Sequence, residues 1–171
     1  MHVTMMMAVT ADGLIATDPD HAADWTSTAD KKSFVEETKK AGVVIFGRTT
    51  YDTINRPLAG RLIVVMTTDP AKYADRAVAN AVEFTALSPT ALLADLEKKG
   101  HQAVVVAGGA KTNGAFLAAR LVDEIILTIE PKLFGRGLNF TEGADLDVTL
   151  KLLSVTSLND DAIQLRYQVV H

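Results

Sequence analysis

The hydrophobic positions of this chain fall into short runs, separated by polar stretches long enough for helices. Residues 3–9 are a buried strand that stops at the turn residues Thr10-Ala11-Asp12-Gly13, and 14–16 is a short extended piece. Residues 17–24 are polar, contain a proline and read as a loop. Thr26-Ser27-Thr28 supply capping hydroxyls for a helix over 29–40, which Gly42 stops. A strand over 43–46, a helix over 49–54 and a strand over 62–66 follow, then a weak segment at 73–77 and a weak strand at 82–84. Ser88-Pro89 open a helix that runs through Lys99, with Gly100 behind it. A strand over 103–107 passes through Gly108-Gly109 into a helix over 112–119, and 125–129 is again a strand. Residues 148–155 and 162–170 form a closing antiparallel hairpin around Asn159-Asp160-Asp161. Strands alternating with helices predict an α/β fold of three layers. Its central sheet is mostly parallel, covered on both faces, with an antiparallel C-terminal edge.

Composition narrows the function classes. At 171 residues, with no repeat or linker, the chain reads as a single domain over 1–171. A net charge of −4 without a basic stripe argues against nucleic-acid binding. The absence of cysteine excludes disulfides, thiolate metal sites and cysteine nucleophiles. His2, His21, His101 and His171 have no metal-ligand spacing, so no metal is expected. Asp12 interrupts the first apolar run, and neither a signal peptide nor a membrane span is read, which points to the cytoplasm.

The candidate chemistry begins at Gly47-Arg48-Thr49-Thr50-Tyr51, where a strand ends and a helix opens. Backbone N–H groups and a guanidinium then converge on one spot, which suits a phosphate. Arg56-Pro57-Leu58-Ala59-Gly60-Arg61 adds two more arginines before the next strand. Gly108-Gly109 lets backbone approach a ligand closely, although a double glycine serves packing as often, and the dinucleotide fingerprint is absent. Asp30 and Phe34 share a helix face. By itself Asp30 reads better as a solvated acid favoured by the helix dipole than as a pocket acid beside aromatics; spacing alone does not decide. Met5, Met6 and Met7 read as core and pocket lining.

Together these pieces resemble dihydrofolate reductase. Ala8 and Asp12 fit that family's first strand and its end, and Trp25, Asp30 and Phe34 fit the helix carrying its single active-site carboxylate. Gly47-Arg48-x-Thr50-Tyr51 resembles Gly-Arg-x-Thr-Trp, and Arg56-Pro57-Leu58-x-Gly60-Arg61 resembles Arg-Pro-Leu-Pro-Gly-Arg. In the C-terminal half, Leu121-Val122-Asp123-Glu124-Ile125 and Pro131-Lys132-Leu133-Phe134-Gly135-Arg136-Gly137 are more similar to the reductase domain of riboflavin biosynthesis proteins, which shares the fold and the NADPH chemistry. Ala110 replaces the third glycine of the dihydrofolate reductase pattern, Asn113 replaces an aromatic near the nicotinamide, and 16–24 is not the usual active-site loop.

The resemblance implies NADPH as cofactor, bound by Ala8, Ile15, Gly47, Arg48, Thr49, Thr50, Thr67, Thr68, Ala107, Gly108, Gly109, Ala110, Lys111 and Thr112. Within that set Arg48, Thr68 and Lys111 fall to the 2′-phosphate, while Lys111 alone reads equally as a surface lysine. It implies a substrate pocket of Met6, Ala8, Trp25, Asp30, Phe34, Ile54, Arg61 and Thr128, with Asp30 catalytic and Arg61 on the carboxylate of the folate tail. Without the motif, Arg61 would read as a surface salt bridge. The implied activity is reduction of 7,8-dihydrofolate by hydride transfer to pterin C6. The alternatives are a riboflavin-pathway reductase of a ribosylaminopyrimidine and a nucleotide-binding protein without reductase activity. The partner is then a small molecule, and the chain a monomer or homodimer.

Overall fold

The structure is a computed structural model that describes residues 1–19, 21–22, 24–143 and 145–171. Positions 20 and 23 of the expected 17–24 loop lie outside the described residues. In chain order the elements are β1 (His2–Thr10), β2 (Leu14–Ala16), α1 (Thr28–Ala41), β3 (Val43–Gly47), α2 (Arg48–Ile54) and β4 (Leu62–Met66). A 3-10 segment (Pro70–Arg76), β5 (Val82–Thr85), α3 (Pro89–Lys98), β6 (Ala103–Val106) and α4 (Ala110–Ala118) follow. β7 (Glu124–Glu130), β8 (Leu138–Asn139), β9 (Thr149–Ser157) and β10 (Ile163–Val170) complete the chain.

The described residues build an eight-stranded sheet in the order β5-β4-β3-β6-β1-β7-β10-β9. The strands from β5 to β7 run parallel, and β10 and β9 close the edge antiparallel. This is the expected architecture, and its cause is visible in the pleat. On β3, Val43 and Ile45 face one core cluster with Leu92, Leu96 and Phe116 of the helices α3 and α4. Val44 and Phe46 face a second cluster with Tyr51 of α2, against which Phe34 of α1 packs. A strand covered on both faces has to be apolar at consecutive positions, as 43–46 is. Met5 and Met6 lie in the two clusters, as core residues. β9 is exposed along its whole length and carries the open edge.

Local signals set the boundaries. The Ser27 hydroxyl accepts from the Asp30 N–H at the start of α1, and Gly42 ends the helix with φ 78°. α4 begins at Ala110, two residues before the expected start, because extended Gly109 is its N-cap. The weak segment expected at 73–77 is a 3-10 segment that starts at Pro70 and is capped by Asp69. β8 has no counterpart among the expected strands; it pairs with β2 as a short ribbon. Among the described residues, no helix is long and apolar enough to cross a membrane.

Candidate active site

All the parallel strands end at the same edge of the sheet, where the order places β6 between β3 and β1. Such a switch point leaves a crevice outside the carboxyl ends of the strands. Two strand-to-helix turns meet there. The Gly47 N–H donates to the Gly108 carbonyl at 2.6 Å, and the Ala107 N–H to the Ile45 carbonyl at 2.9 Å. Gly108 has φ 90°, a backbone conformation that favours glycine, and the Gly108–Gly109 peptide is cis. A Cβ on Gly47 would lie 2.5 Å from the Thr112 hydroxyl, and one on Gly109 would lie 2.9 Å from that of Thr50. The N-caps of α2 and α4 are Gly47 and Gly109, and neither has a side chain to take up the first N–H groups. The result is a cradle of backbone N–H donors that suits the pyrophosphate of a dinucleotide.

The implied cofactor residues gather around this cradle. Arg48, Thr49 and Thr50 form the first turn of α2, and Ala110, Lys111 and Thr112 that of α4. Thr67 and Thr68 follow the end of β4, whose Met66 is paired with Gly47. Ala8 stands on β1 and Ile15 on the ribbon strand β2. Arg48 is not a free cation. It pairs with Asp52 and donates to the Thr49 hydroxyl at 3.1 Å. Asp52 also holds Arg76 at 2.8 Å, and the Arg76 guanidinium lies 5.3 Å from the ring centre of Tyr51. Two arginines on one carboxylate leave a net positive charge at this end of the edge. Sequence reading missed Asp52 and Arg76, because Arg76 reaches the site from the 3-10 segment.

Of the implied substrate residues, Asp30 and Thr128 lie farther along this edge, whereas Arg61 precedes β4 at the amino ends of the strands. Asp30 is 7% exposed, so it is a buried acid and not a solvated one. Burial pushes its carboxyl above the usual range, while hydroxyl bonds from Thr128 and Thr26 pull it down. The net direction is upward. Thr128 is fully buried on β7, and its hydroxyl also accepts from Gln164 at 3.1 Å. Met6 lies in the cluster against which Phe34, Ile54 and Leu58 pack. Trp25 meets Phe134 edge-on at 5.1 Å between centroids. Phe134 is held by the Asp12 carboxylate, which accepts from the Phe134 and Gly135 N–H groups. Arg61 corrects the surface-salt-bridge reading. It is 9% exposed, lies 5.9 Å from the Phe34 ring centre and forms no ion pair among the described residues. Its Nε is buried without a hydrogen-bond partner. Buried Glu130 is a second acid in this region, and nothing in the sequence patterns singled it out.

Residues 59–164 match the model of the RibD C-terminal domain family. The chain belongs to that family. A Bacillus subtilis (strain 168) protein, the uncharacterized protein YwjB, is 26% identical, and the match covers 95% of each chain. A Thermotoga maritima diaminohydroxyphosphoribosylaminopyrimidine deaminase/5-amino-6-(5-phosphoribosylamino)uracil reductase has a TM-score of 0.79 at 21% identity; the match covers 98% of this chain and 56% of that one. A dihydrofolate reductase from Enterococcus faecalis, complexed with NADP(H), has a TM-score of 0.74 at 20% identity over 98% of this chain and 96% of that one. The RibD C-terminal domain thus accounts for the C-terminal half, and the likeness to dihydrofolate reductase is one of fold. The expectation of dihydrofolate as substrate finds less support here than its riboflavin-pathway alternative.

Proposed function

We propose that this RibD C-terminal domain protein is an NADPH-dependent reductase of a pyrimidine-derived heterocycle, with a ribosylaminopyrimidine phosphate as the favoured substrate. The observation that carries the reading is a buried acid, Asp30, on the same sheet edge as the side-chain-free cradle of Gly47, Gly108 and Gly109. Family membership favours the ribosylaminopyrimidine. NADPH, when bound, would supply the hydride, for which a ribosylaminopyrimidine offers the sugar C1′ in its ring-opened C=N form, the nitrogen taking the proton, and the protein supplies orientation and electrostatics. The cradle and the first turns of α2 and α4 hold the pyrophosphate. Arg48, Thr68 and Lys111 serve the 2′-phosphate, with Arg76 sharing the countercharge of Asp52. Asp30 binds the ring edge and holds a proton within reach of the reacting nitrogen. Arg61 takes the anionic end of the substrate, since its buried Nε lacks a partner.

Dihydrofolate is the second reading, favoured by one observation. Thr128 and Thr26 donate to Asp30, as suits an ionised carboxylate. An ionised carboxylate accepts two parallel N–H bonds. A 2-amino-4-oxo ring offers both, whereas a 2,4-dioxo ring offers one and turns a carbonyl against the second oxygen. Loss of NADPH absorbance is the test, with 5-amino-6-(5-phosphoribosylamino)uracil and 7,8-dihydrofolate supplied separately. Turnover of the uracil compound is expected. Turnover of dihydrofolate alone would replace the first reading by the second, and turnover of neither would leave a nucleotide-binding protein.

A further inference from the structure

Most of the exposed large hydrophobic side chains among the described residues lie on the closing hairpin. The register sorts them by face. Leu150, Leu152 and Val155 of β9 stand opposite Val169, Tyr167 and Leu165 of β10, and Ile163 continues the row opposite Ser157. Opposite residues of an antiparallel pair share a face. On the inner side Leu165 and Ile163 stand opposite Leu127 and Ile129 of β7, so the row extends the face that α3 and α4 cover farther in. That cover runs out toward the edge: Val169 is 6% exposed, but Leu152 is 51% and Val155 57% exposed. The other face of the hairpin is polar, with Gln164, Arg166 and Gln168 opposite Thr156, Ser154 and Lys151. The hairpin thus alternates as a half-buried strand pair does, with its apolar side uncovered.

We propose that a second copy of this chain covers this face, the two hairpins packing face to face about a two-fold axis. In a two-fold contact each copy presents the same patch to the other, so the patch has to complement itself. The row from Leu150 to Leu165 carries no charge, so two chains of net charge −4 meet here without like charges opposed. The area fits as well. Side chains 38–57% exposed, with the half-buried ones beside them, leave on the order of 400 Å² of apolar surface. A stable interface takes about 800 Å² from each partner, a little over half of it apolar.

The free edge of β9 is the other route for a second copy, and it is blunted. Ser154 pairs with Arg166 and Leu152 with Tyr167, which leaves Leu153 between them as a bulge. Lys151 stands one residue farther along the same strand. A bulge and a lysine both discourage strand addition. A strand guarded at its edge and apolar on its face packs through the face.

The test is sedimentation velocity with light scattering on the full chain, at about 1–100 µM. Wild type is expected at twice 18.3 kDa. Val155→Lys puts a charge into each patch at a position that is open in the single copy, and is expected to weaken the dimer by about a hundredfold or more. Thr156→Lys, the next residue on the opposite face, is expected to stay dimeric. The chain has no cysteine, so Val155→Cys gives a second probe that holds if Val155→Lys fails to fold. A bismaleimide is expected to join two copies of Val155→Cys and not of Thr156→Cys. Wild type that stays at 18.3 kDa throughout overturns the proposal and leaves the face to a partner of different sequence. A dimer that survives Val155→Lys, with Val155→Cys uncoupled, overturns the choice of face. Thr156→Lys that dissociates as readily as Val155→Lys overturns it in favour of the β9 edge.

Discussion

Replacing Arg61 by methionine should make the protein more stable and its substrate binding weaker. Methionine keeps an unbranched side chain of similar reach over Phe34. Arg61 is 9% exposed and its buried Nε has no partner, so the folded protein bears the desolvation of a donor that water satisfies in the unfolded chain. An unpaired buried donor costs about 1–3 kcal/mol. Against this stand the contact with Phe34 at 5.9 Å, about 0.5–1 kcal/mol, and a long bond of 3.4 Å to the Ala59 carbonyl. The balance is a gain of about 1 kcal/mol, or about 2–4 °C in Tm for a domain of this size. The same guanidinium is a fork for a phosphate or carboxylate, so its loss should raise KM for the anionic substrate tenfold or more, about 1.4 kcal/mol. kcat should change less, because the anion is held alike in ground and transition states. A substrate analogue without the anion should be indifferent. Thermal unfolding and steady-state kinetics on the two proteins decide it. An Arg61→Met variant that is less stable and binds substrate normally would make Arg61 a packing residue and remove it from the substrate site.

Asp30→Asn should lower turnover by about 10² or more while NADPH binding persists, read by kinetics and cofactor titration. The same change tests the linkage. The Asp30 carboxyl lies above its ordinary 3.8, so the folded state binds more protons than the unfolded chain and loses stability as pH rises from that value through the folded one. Asp30→Asn should therefore gain stability over wild type toward neutral pH and lose that gain in acid, measured by urea unfolding across pH. Arg48→Ala should raise KM for NADPH more than for NADH, by about 1.5–3 kcal/mol, since Asp52 and Arg76 would then cancel; equal effects on both cofactors would remove Arg48 from the 2′-phosphate. Gly137→Ala would put a Cβ 2.0 Å from the Ala16 carbonyl oxygen, backbone that has little room to give, and should cost about 1–3 kcal/mol in chemical denaturation.

Parts of the molecule written in local pattern are legible in the sequence. β4 falls on the expected 62–66, because a strand buried on both faces is an unbroken apolar run between Gly60-Arg61 and Thr67-Thr68. The start and stop of α1 follow from Ser27 and Gly42. The double-glycine turn is visible as a candidate, but its embrace by Gly47 depends on a contact across 61 residues, so local pattern leaves packing and ligand contact equally open. The acid at position 30 is ambiguous for the same reason: the first turn of α1 meets Thr128 of β7, nearly 100 residues away. β8 has two residues and no pattern of its own; it exists because β2 is there to pair with. Asp52, Arg76 and Glu130 look like ordinary surface charges until the elements that carry them are brought together.

The position of β1 in the sheet has a consequence for how the chain is made. Its neighbours are β6 and β7: His2 pairs with Ala103, and Thr4 pairs with Glu124. β1 therefore leaves the ribosome long before the strands that enclose it. At about 5–20 residues per second, some 120 further residues take about 6–24 s to synthesise. For that time Val3, Met5, Met6 and Val9, which end 0–3% exposed, lack at least one of their two neighbouring strands. A nascent chain of this protein therefore carries an apolar, unpaired strand until its partners have been made. Its yield at high temperature or high expression should depend more on what shields that segment than on the stability of the finished fold.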